Sequence, residues 1–325
     1  FFLFAISLHA YAQTSYTLSG HIQDAGSGEQ LIGATIYDED TRLGVASNIY
    51  GFYSFTLPEG KHTVVVTYIG YTAQKFEVDL SKNLSMDINL VAGTELKEAI
   101  VTGESYNKIE DQVQMSKVEI PIDQIKRLPA IGGEVDLLKA LQLMPGIQSG
   151  GEGSSGLYVR GGSPDQNLIL LDGVPLYNVS HLFGFFSVFN ADAVRNISIT
   201  KGGFPARYGG RLSSIVDIHM KDGDMNDYHA DGTISLLSSK LTVEGPIVSD
   251  RASFMISGRR TYLDLLLAPL LQNVTSKDPN TDITPRYFFY DLNAKLNWKI
   301  SPKDRVYFSF FNGLDDFGLN FSENI

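Results

Sequence analysis

Between Phe288 and Ile300 the chain alternates without a break. Phe288, Tyr290, Leu292, Ala294, Leu296, Trp298 and Ile300 are apolar, while Asp291, Asn293, Lys295, Asn297 and Lys299 fill the positions between them. A period of two places one set on each face of an extended strand. Strands of soluble sandwiches run about 5–6 residues, whereas a tilted strand that crosses a bilayer needs about 9–11 with lipid on one side and water on the other. The segment therefore predicts a membrane-spanning strand. Ala252-Phe254-Ile256 and Val306-Phe308-Phe310 alternate in the same way. Residues 230–243 are less regular, with a parity slip at Leu236-Leu237. The connections at 245–250 and 301–304 are short, and the one from Leu265 to Pro285 is long, as membrane barrels are built. Tyr262, Tyr287, Phe288, Phe289, Tyr290 and Tyr307 at the strand ends predict an interfacial aromatic girdle.

Composition narrows the remaining choices. With 43% hydrophobic and 11% aromatic residues the chain has ample material for a core. A formal net charge of −11 argues against a nucleic-acid partner, since a phosphate backbone requires a basic surface. The absence of cysteine excludes disulfides and thiolate metal sites. The chain opens on an apolar run, Phe1 to Leu8, followed by Ala10-Tyr11-Ala12. This is the pattern of an export-signal core and its cleavage site, with cleavage expected after about Ala12 and the basic leader and initiator Met lying upstream.

Residues 13–92 predict a small β-sandwich. Short extended runs such as Tyr16–Ile22, Ala34–Tyr37, Gly51–Leu57 and His62–Tyr68 are separated by turn signals including Asp24–Gly28 and Pro58-Glu59-Gly60. The stretches SGHIQDAGSGEQLIGATI and NIYGFYSFTLPEGKHTVVVTYIGY resemble the carboxypeptidase regulatory-like domain, a transthyretin-like sandwich without catalytic residues of its own. Histidines stand at 9, 21, 62, 181, 219 and 229, with no His-x-x-Glu pair, so a metallopeptidase reading has no ligand set and no metal site is expected.

The next segments predict an α+β domain over residues 118–222. A short helix is expected from Pro121 to Pro129 and another from Glu134 to Leu143, with Leu137, Leu138, Leu141 and Met144 on one face and Pro145-Gly146 as its stop. Strands are expected at 156–160, 168–172, 197–200 and 214–218. Gly151-Glu152-Gly153-Ser154-Ser155-Gly156 copies a dinucleotide fingerprint, but a helix precedes it and a strand follows. That reversed context excludes the phosphate-cradling turn, and no cofactor is expected.

The same region is similar to the plug of TonB-dependent outer-membrane receptors. The matching pieces are Val159-Arg160-Gly161-Gly162, Leu171-Asp172-Gly173-Val174-Pro175, and Lys201-Gly202-Gly203 leading to Arg207-Tyr208-Gly209-Gly210-Arg211. Within the linker 93–117, Glu98-Ala99-Ile100-Val101-Thr102-Gly103 resembles the TonB box, an extended segment able to add a strand to a partner's sheet. Its alternative role is for Ile100-Val101 to cap the preceding sandwich or to join the plug.

The resemblance implies a mainly β protein: regulatory-like sandwich, α+β plug, and at 223–325 the first strands, about four, of a wall that in such transporters has about 22. It further implies import of a scarce nutrient with TonB and its inner-membrane motor proteins as partners, the outer-membrane bilayer as surroundings and a periplasmic N-terminal domain. A surface lipoprotein is a candidate partner. Iron chelates, cobalamin, glycans and peptides remain open as substrates. Arg160, Asp172, Arg207 and Arg211 are candidates for pairing with wall residues such as Arg259, Glu244 or Asp291, or for satisfying turns within the plug. His181, Phe183, Phe185 and Phe186 form a candidate substrate-facing apex, with packing against the wall as the alternative. The rival classes are a β-sandwich adhesion or binding protein, a peptidase whose catalytic domain lies elsewhere, and a signalling receptor.

Overall fold

The computed structural model describes residues 14–93, 117–128, 133–151, 154–266, 281–301 and 304–323. The expected export signal, the candidate box Glu98–Gly103 and most of the connection from Leu265 to Pro285 lie outside them. The chain divides into two compact units at Ile100 and Val101.

The first unit is a sandwich of two sheets. One holds β1 (Ser15–Asp24) between β4 (Phe52–Pro58) and the short parallel strands β7 (Leu84–Ser85) and β8 (Ile88–Leu90). The other runs β3-β2-β5-β6, with β2 Thr35–Asp38, β3 Gly44–Ala46, β5 Gly60–Thr67 and β6 Gln74–Leu80. Alternation does the sorting: Tyr53, Phe55 and Leu57 point inward from β4 while Phe52, Ser54 and Thr56 point out. Leu18, Ile22, Ile36, Val64, Val66, Leu80 and Leu90 complete the core. Tyr53 carries its hydroxyl into that core and donates it to the Met86 carbonyl at 2.6 Å.

In the second unit a five-stranded sheet of order β13-β12-β17-β16-β9 forms the α+β domain. Its strands are β9 Lys117–Pro121, β12 Asn167–Leu171, β13 Val174–Pro175, β16 Val194–Thr200 and β17 Ser214–Met220. Two hairpins, β10 (Ile147–Ser149) with β11 (Leu157–Val159) and β14 (Ser180–His181) with β15 (Phe186–Ser187), lie outside it. The helices are shorter than expected, Ile122–Lys126 and Leu137–Gln142. Asp136 sets the second start by accepting from the Lys139 backbone N–H at 3.1 Å. Leu137, Leu138 and Leu141 share one core with Ile197, Ile199, Val216 and Ile218.

The remaining strands form an antiparallel meander in sequence order: β18 (His229–Ile234), β19 (Ser238–Val248), β20 (Ala252–Thr261), β21 (Thr281–Lys299) and β22 (Arg305–Glu323). There are five strands here where about four were expected, because the parity slip at Leu236-Leu237 is a tight turn between two of them. The long connection ends earlier than expected, since β21 already begins at Thr281.

This sheet is inside out by the standard of a soluble protein. Ser253, Ser257, Arg259, Asp291, Asn293, Lys295 and Asn297 are buried, while Ile256, Leu292, Leu296, Trp298, Phe308 and Phe310 are exposed. The polar face packs on the α+β domain and the apolar face is left for lipid. The girdle expectation needs correction for Tyr287 and Phe289. Both are odd-numbered, face inward and are buried with Phe186.

Gly20 lies where β1 passes from pairing with β7 to pairing with β8, and a Cβ there would sit 1.9 Å from the Met86 carbonyl oxygen. Relief requires backbone movement, so Gly20→Ala is expected to destabilise the sandwich by about 1–3 kcal/mol. Urea unfolding of the sandwich unit measures this, and an unchanged midpoint would show that β1 can shift without cost.

Candidate functional site

The interface between the α+β domain and the polar face of the sheet contains two ionic clusters. The first surrounds Lys295 on β21. Its ammonium lies 2.8 Å from Asp222 and 3.2 Å from Asp172, and it also donates to the Met220 carbonyl at 3.1 Å. Ser309 on β22 donates to the same Asp172 oxygen, Oδ2, at 2.6 Å, and Arg195 approaches Asp222 at 3.7 Å. Asp222 is fully enclosed. Burial alone would raise its pKa, but Lys295 and then Arg195 outweigh that and hold it below the usual carboxylate value.

The second cluster crosses the interface from Arg259. That guanidinium bonds Asp291 through Nε at 2.8 Å and the Ser187 carbonyl at 2.7 Å, and reaches Glu134 at 3.7 Å. Lys240 on β19 lies 3.2 Å from Asp192 and 3.8 Å from Glu134, and Lys126 takes the other oxygen of Asp192 at 3.0 Å. Burial pushes the Glu134 carboxyl above its ordinary pKa despite Arg259 and Lys240. Asp192 is affected oppositely: its desolvation is overcome by Lys240 and Lys126, which lower it.

His181 joins this cluster from the β14 hairpin. Its Nε2 meets Asp291 and its Nδ1 meets Asp315, each at 2.7 Å, and its ring stacks on Phe289 at 4.1 Å between centroids. Burial disfavours the imidazolium, but the two carboxylates outweigh it and raise the pKa above the ordinary histidine value. The Leu182 backbone N–H donates to the Tyr287 hydroxyl at 2.7 Å, and that hydroxyl in turn bonds Asp315. Leu182 and Phe183 follow with φ of 48° and 55°, an uncommon conformation for bulky residues. This backbone turns Phe183 outward, 95% exposed, with its ring edge toward Phe317 at 6.5 Å. His181 and Phe186 are buried, and Phe185 lies against the Lys139 ammonium, 4.3 Å from the ring centroid. Of the four apex residues, only Phe183 stands clear of its neighbours.

The glycine-rich motif residues gather elsewhere. Arg160 has φ of 48°, its backbone N–H donates to the Gly146 carbonyl at 3.0 Å, and its guanidinium lies beside Gly202. Gly161 and Gly173 adopt φ of 84° and 80°, so the turns after Arg160 and Asp172 are left-handed over consecutive residues. A Cβ on Gly162 would meet Ser213 Oγ at 2.4 Å. Lys201 donates to the Pro145 carbonyl at 2.7 Å, and burial followed by the charge of Arg160 lowers its pKa. The Arg207 guanidinium covers the Tyr208 ring at 4.8 Å, the Tyr208 hydroxyl reaches Asp217 at 3.3 Å, and Arg211 donates to the neighbouring Gly210 carbonyl. Gly209 has open space around its Cα.

Asp172 is the member of this set that crosses to the wall, pairing with Lys295 and not with Arg259. It also accepts from the Met220 N–H, at the end of the neighbouring strand β17, at 3.0 Å. Arg160, Arg207 and Arg211 form no ion pair among the described residues, so the expected pairing with the wall does not hold for them there. Glu244 takes Lys221 at 2.9 Å. The alternation of β21 already marked Lys295 and Asp291 as polar-face residues. Glu134, Asp192 and Asp222 gave no signal, because their partners are set by docking between elements distant in sequence.

Comparison with known proteins matches two segments of the chain. Residues 18–101 match the CarboxypepD_reg-like domain and residues 110–214 the TonB-dependent receptor plug domain. The ferric enterobactin receptor of Pseudomonas aeruginosa is 28% identical over 144 residues, which covers 39% of this chain and 19% of that protein. A TonB-dependent receptor of Formosa agariphila is 25% identical over 226 residues, 67% of this chain and 20% of that protein. The chain thus spans about a fifth of the length of these curated relatives. Among solved structures, the siderophore receptor PirA of Acinetobacter baumannii aligns over 63% of this chain and 32% of that one, at 20% identity and a TM-score of 0.43. The chain thus carries a CarboxypepD_reg-like domain followed by a TonB-dependent receptor plug domain.

Proposed function

We propose that the intact protein imports a scarce nutrient across the outer membrane, with its plug as the gate of the barrel lumen. The observation that carries this reading is the inverted sheet: its polar face forms ion pairs with plug charges, and its apolar face is left outward. A polar plug seals a hydrated lumen yet can be released, because each broken ion pair can be taken up by water. TonB, driven by its inner-membrane motor, is the partner that would exert the pull on Glu98–Gly103. The domain match ends at Val101, inside this segment, which makes completion of the sandwich the competing role. Phe183, raised on its left-handed backbone, is the apex residue placed to meet a substrate. A relative is named for ferric enterobactin, so iron chelates are the first nutrient class to test.

Growth of the native host on defined iron, vitamin, glycan and peptide sources tests the reading. A deletion strain and a strain lacking only residues 95–104 are both expected to fail on the same nutrient. Normal growth of the excision strain, with failure of the deletion strain, would remove the coupling role from this segment.

Lys295→Met leaves Asp172 buried without its ammonium partner and Asp222 with the more distant Arg195 at 3.7 Å, a loss of about 3–5 kcal/mol in plug docking. The expected result is a leaky barrel, read as sensitivity of the host to a large hydrophilic antibiotic. Wild-type resistance in a correctly inserted variant would show that Lys295 does not hold the plug.

The His181 contact depends on pH with a definite sign. A histidine whose folded pKa is raised contributes its full stabilisation below the unfolded value and loses it as pH rises through the folded one. Hydrogen-exchange protection at residues 180–187, corrected for the intrinsic pH dependence of amide exchange, should therefore be high at mildly acidic pH and fall at alkaline pH. His181→Gln should remove that dependence, and a pH profile identical to wild type would exclude the histidine as its source.

A further inference from the structure

The outward face of the sheet is not smooth at its short-turn end. Val248, Ala252, Trp298 and Val306 pair in one row across β19 to β22. Val248, Trp298 and Val306 are 51%, 54% and 50% exposed, and the small Ala252 lies between the first two at 7%. A register shift between Pro246 and Val248 leaves Ile247 as an extra residue. Both Ile247 and Val248 therefore face outward, as a bulge permits. The result is a groove of about 330 Å³ floored by Ala252 and walled by Ile247, Val248, Leu296 and Trp298. That volume falls within the range of small-molecule clefts, about 300–1,000 Å³.

Arg251 closes the mouth of the groove. It sits in the turn after Asp250, whose φ is 59°, with its backbone carbonyl accepting from the Lys299 N–H at 2.7 Å and its guanidinium only 3.5 Å from the Ile300 carbonyl. No carboxylate among the described residues pairs with it. Tyr228 lies near this rim, its ring across Gly245 and its hydroxyl donating to the Pro246 carbonyl at 2.8 Å. An apolar groove open to the hydrocarbon side, an indole at its wall and a cation without a counter-charge at the interface level form a complete chemical description of one ligand.

The geometry points to a binding site for a single anionic glycerophospholipid in the leaflet that contains the short turns. An acyl chain lies in the groove over Ala252, and the headgroup phosphate meets Arg251. A polar or charged peptide does not fit such a wall, whose row continues into the outward band of Ile256, Leu292 and Phe310. The site rests on the reading of this face as lipid-facing.

Native mass spectrometry of the intact protein, released from detergent with phosphatidylglycerol or phosphatidylcholine present, tests the assignment. Wild type is expected to retain phosphatidylglycerol about fivefold better, the scale of one interfacial cation. Arg251→Gln should abolish that preference while both lipids still bind. Ala252→Trp should fill the groove and lose the retained adduct. Heat-modifiable mobility on gels confirms that each variant is a folded barrel. An unchanged preference in Arg251→Gln, or an unchanged adduct in Ala252→Trp, overturns the site and leaves the barrel reading intact. A protein dimer abolished by Ala252→Trp would overturn it in favour of a second copy as the occupant.

Discussion

Lys295 stands where two incompatible surroundings meet. Its strand carries Leu292, Leu296 and Trp298 toward lipid, and on the opposite face its ammonium is enclosed with Asp172 and Asp222. A charge held there without partners would cost several kcal/mol even after relaxation. The strand can have a polar inner face only because something polar fills the lumen, and the plug supplies it from two separate turns. Asp172 is fixed by its own left-handed backbone and by the Met220 N–H, so it meets Lys295 already oriented. The wall requires the plug as much as the plug requires the wall.

The same reasoning explains why the Arg259 cluster is a network and not a pair. Asp291 receives Arg259 and His181, Glu134 faces Arg259 and Lys240, and Asp192 faces Lys240 and Lys126. Each buried charge has more than one counter-charge, so no single contact carries the whole desolvation cost. The excess of carboxylates around Glu134 also accounts for its raised pKa, since Asp192 and Asp136 add to the burial that already disfavours its charge.

Much of this was legible in the sequence where the physics is local. The period of two from Phe288 to Ile300 fixed β21 and the sign of its faces, because parity is set by the pleat alone. The left-handed turns at Arg160-Gly161 and Asp172-Gly173 were signalled by their glycines. The first helix begins one residue after the expected start and the second three residues after it, although Asp136 was available as the capping residue. Tyr287 and Phe289 were assigned to a girdle by their place at a strand end, when their odd positions already placed them inward. The partners of Asp172 and Arg259 were out of reach for a different reason. Pairing across the interface depends on how a sheet built from β9 to β17 docks on strands a hundred residues later, and no local pattern encodes that register. The groove at Ala252 was hidden for a related cause, since one extra residue at Ile247 changes which side chains share a face.

If the plug gates import as proposed, a polar seal suits that role better than an apolar one would. Burying hydrocarbon gains about 25 cal/mol per Å², and a plug seated on a greasy wall could be moved only against that whole area. Ion pairs in a lumen bordered by water behave differently. Once one contact opens, water solvates both partners, and the Coulomb attraction between them falls steeply with the rise in effective dielectric. The interface is then strong while dry and weak once wetted, so force applied at one edge can propagate by hydration. Ser257, Asn293 and Asn297, buried on the inner face beside the charged residues, already offer hydrogen-bonding groups along that path. The inner face thus has the chemistry of a surface that water can re-enter, whereas Ile256, Leu292 and Leu296 on the outer face keep the same strands fixed in lipid.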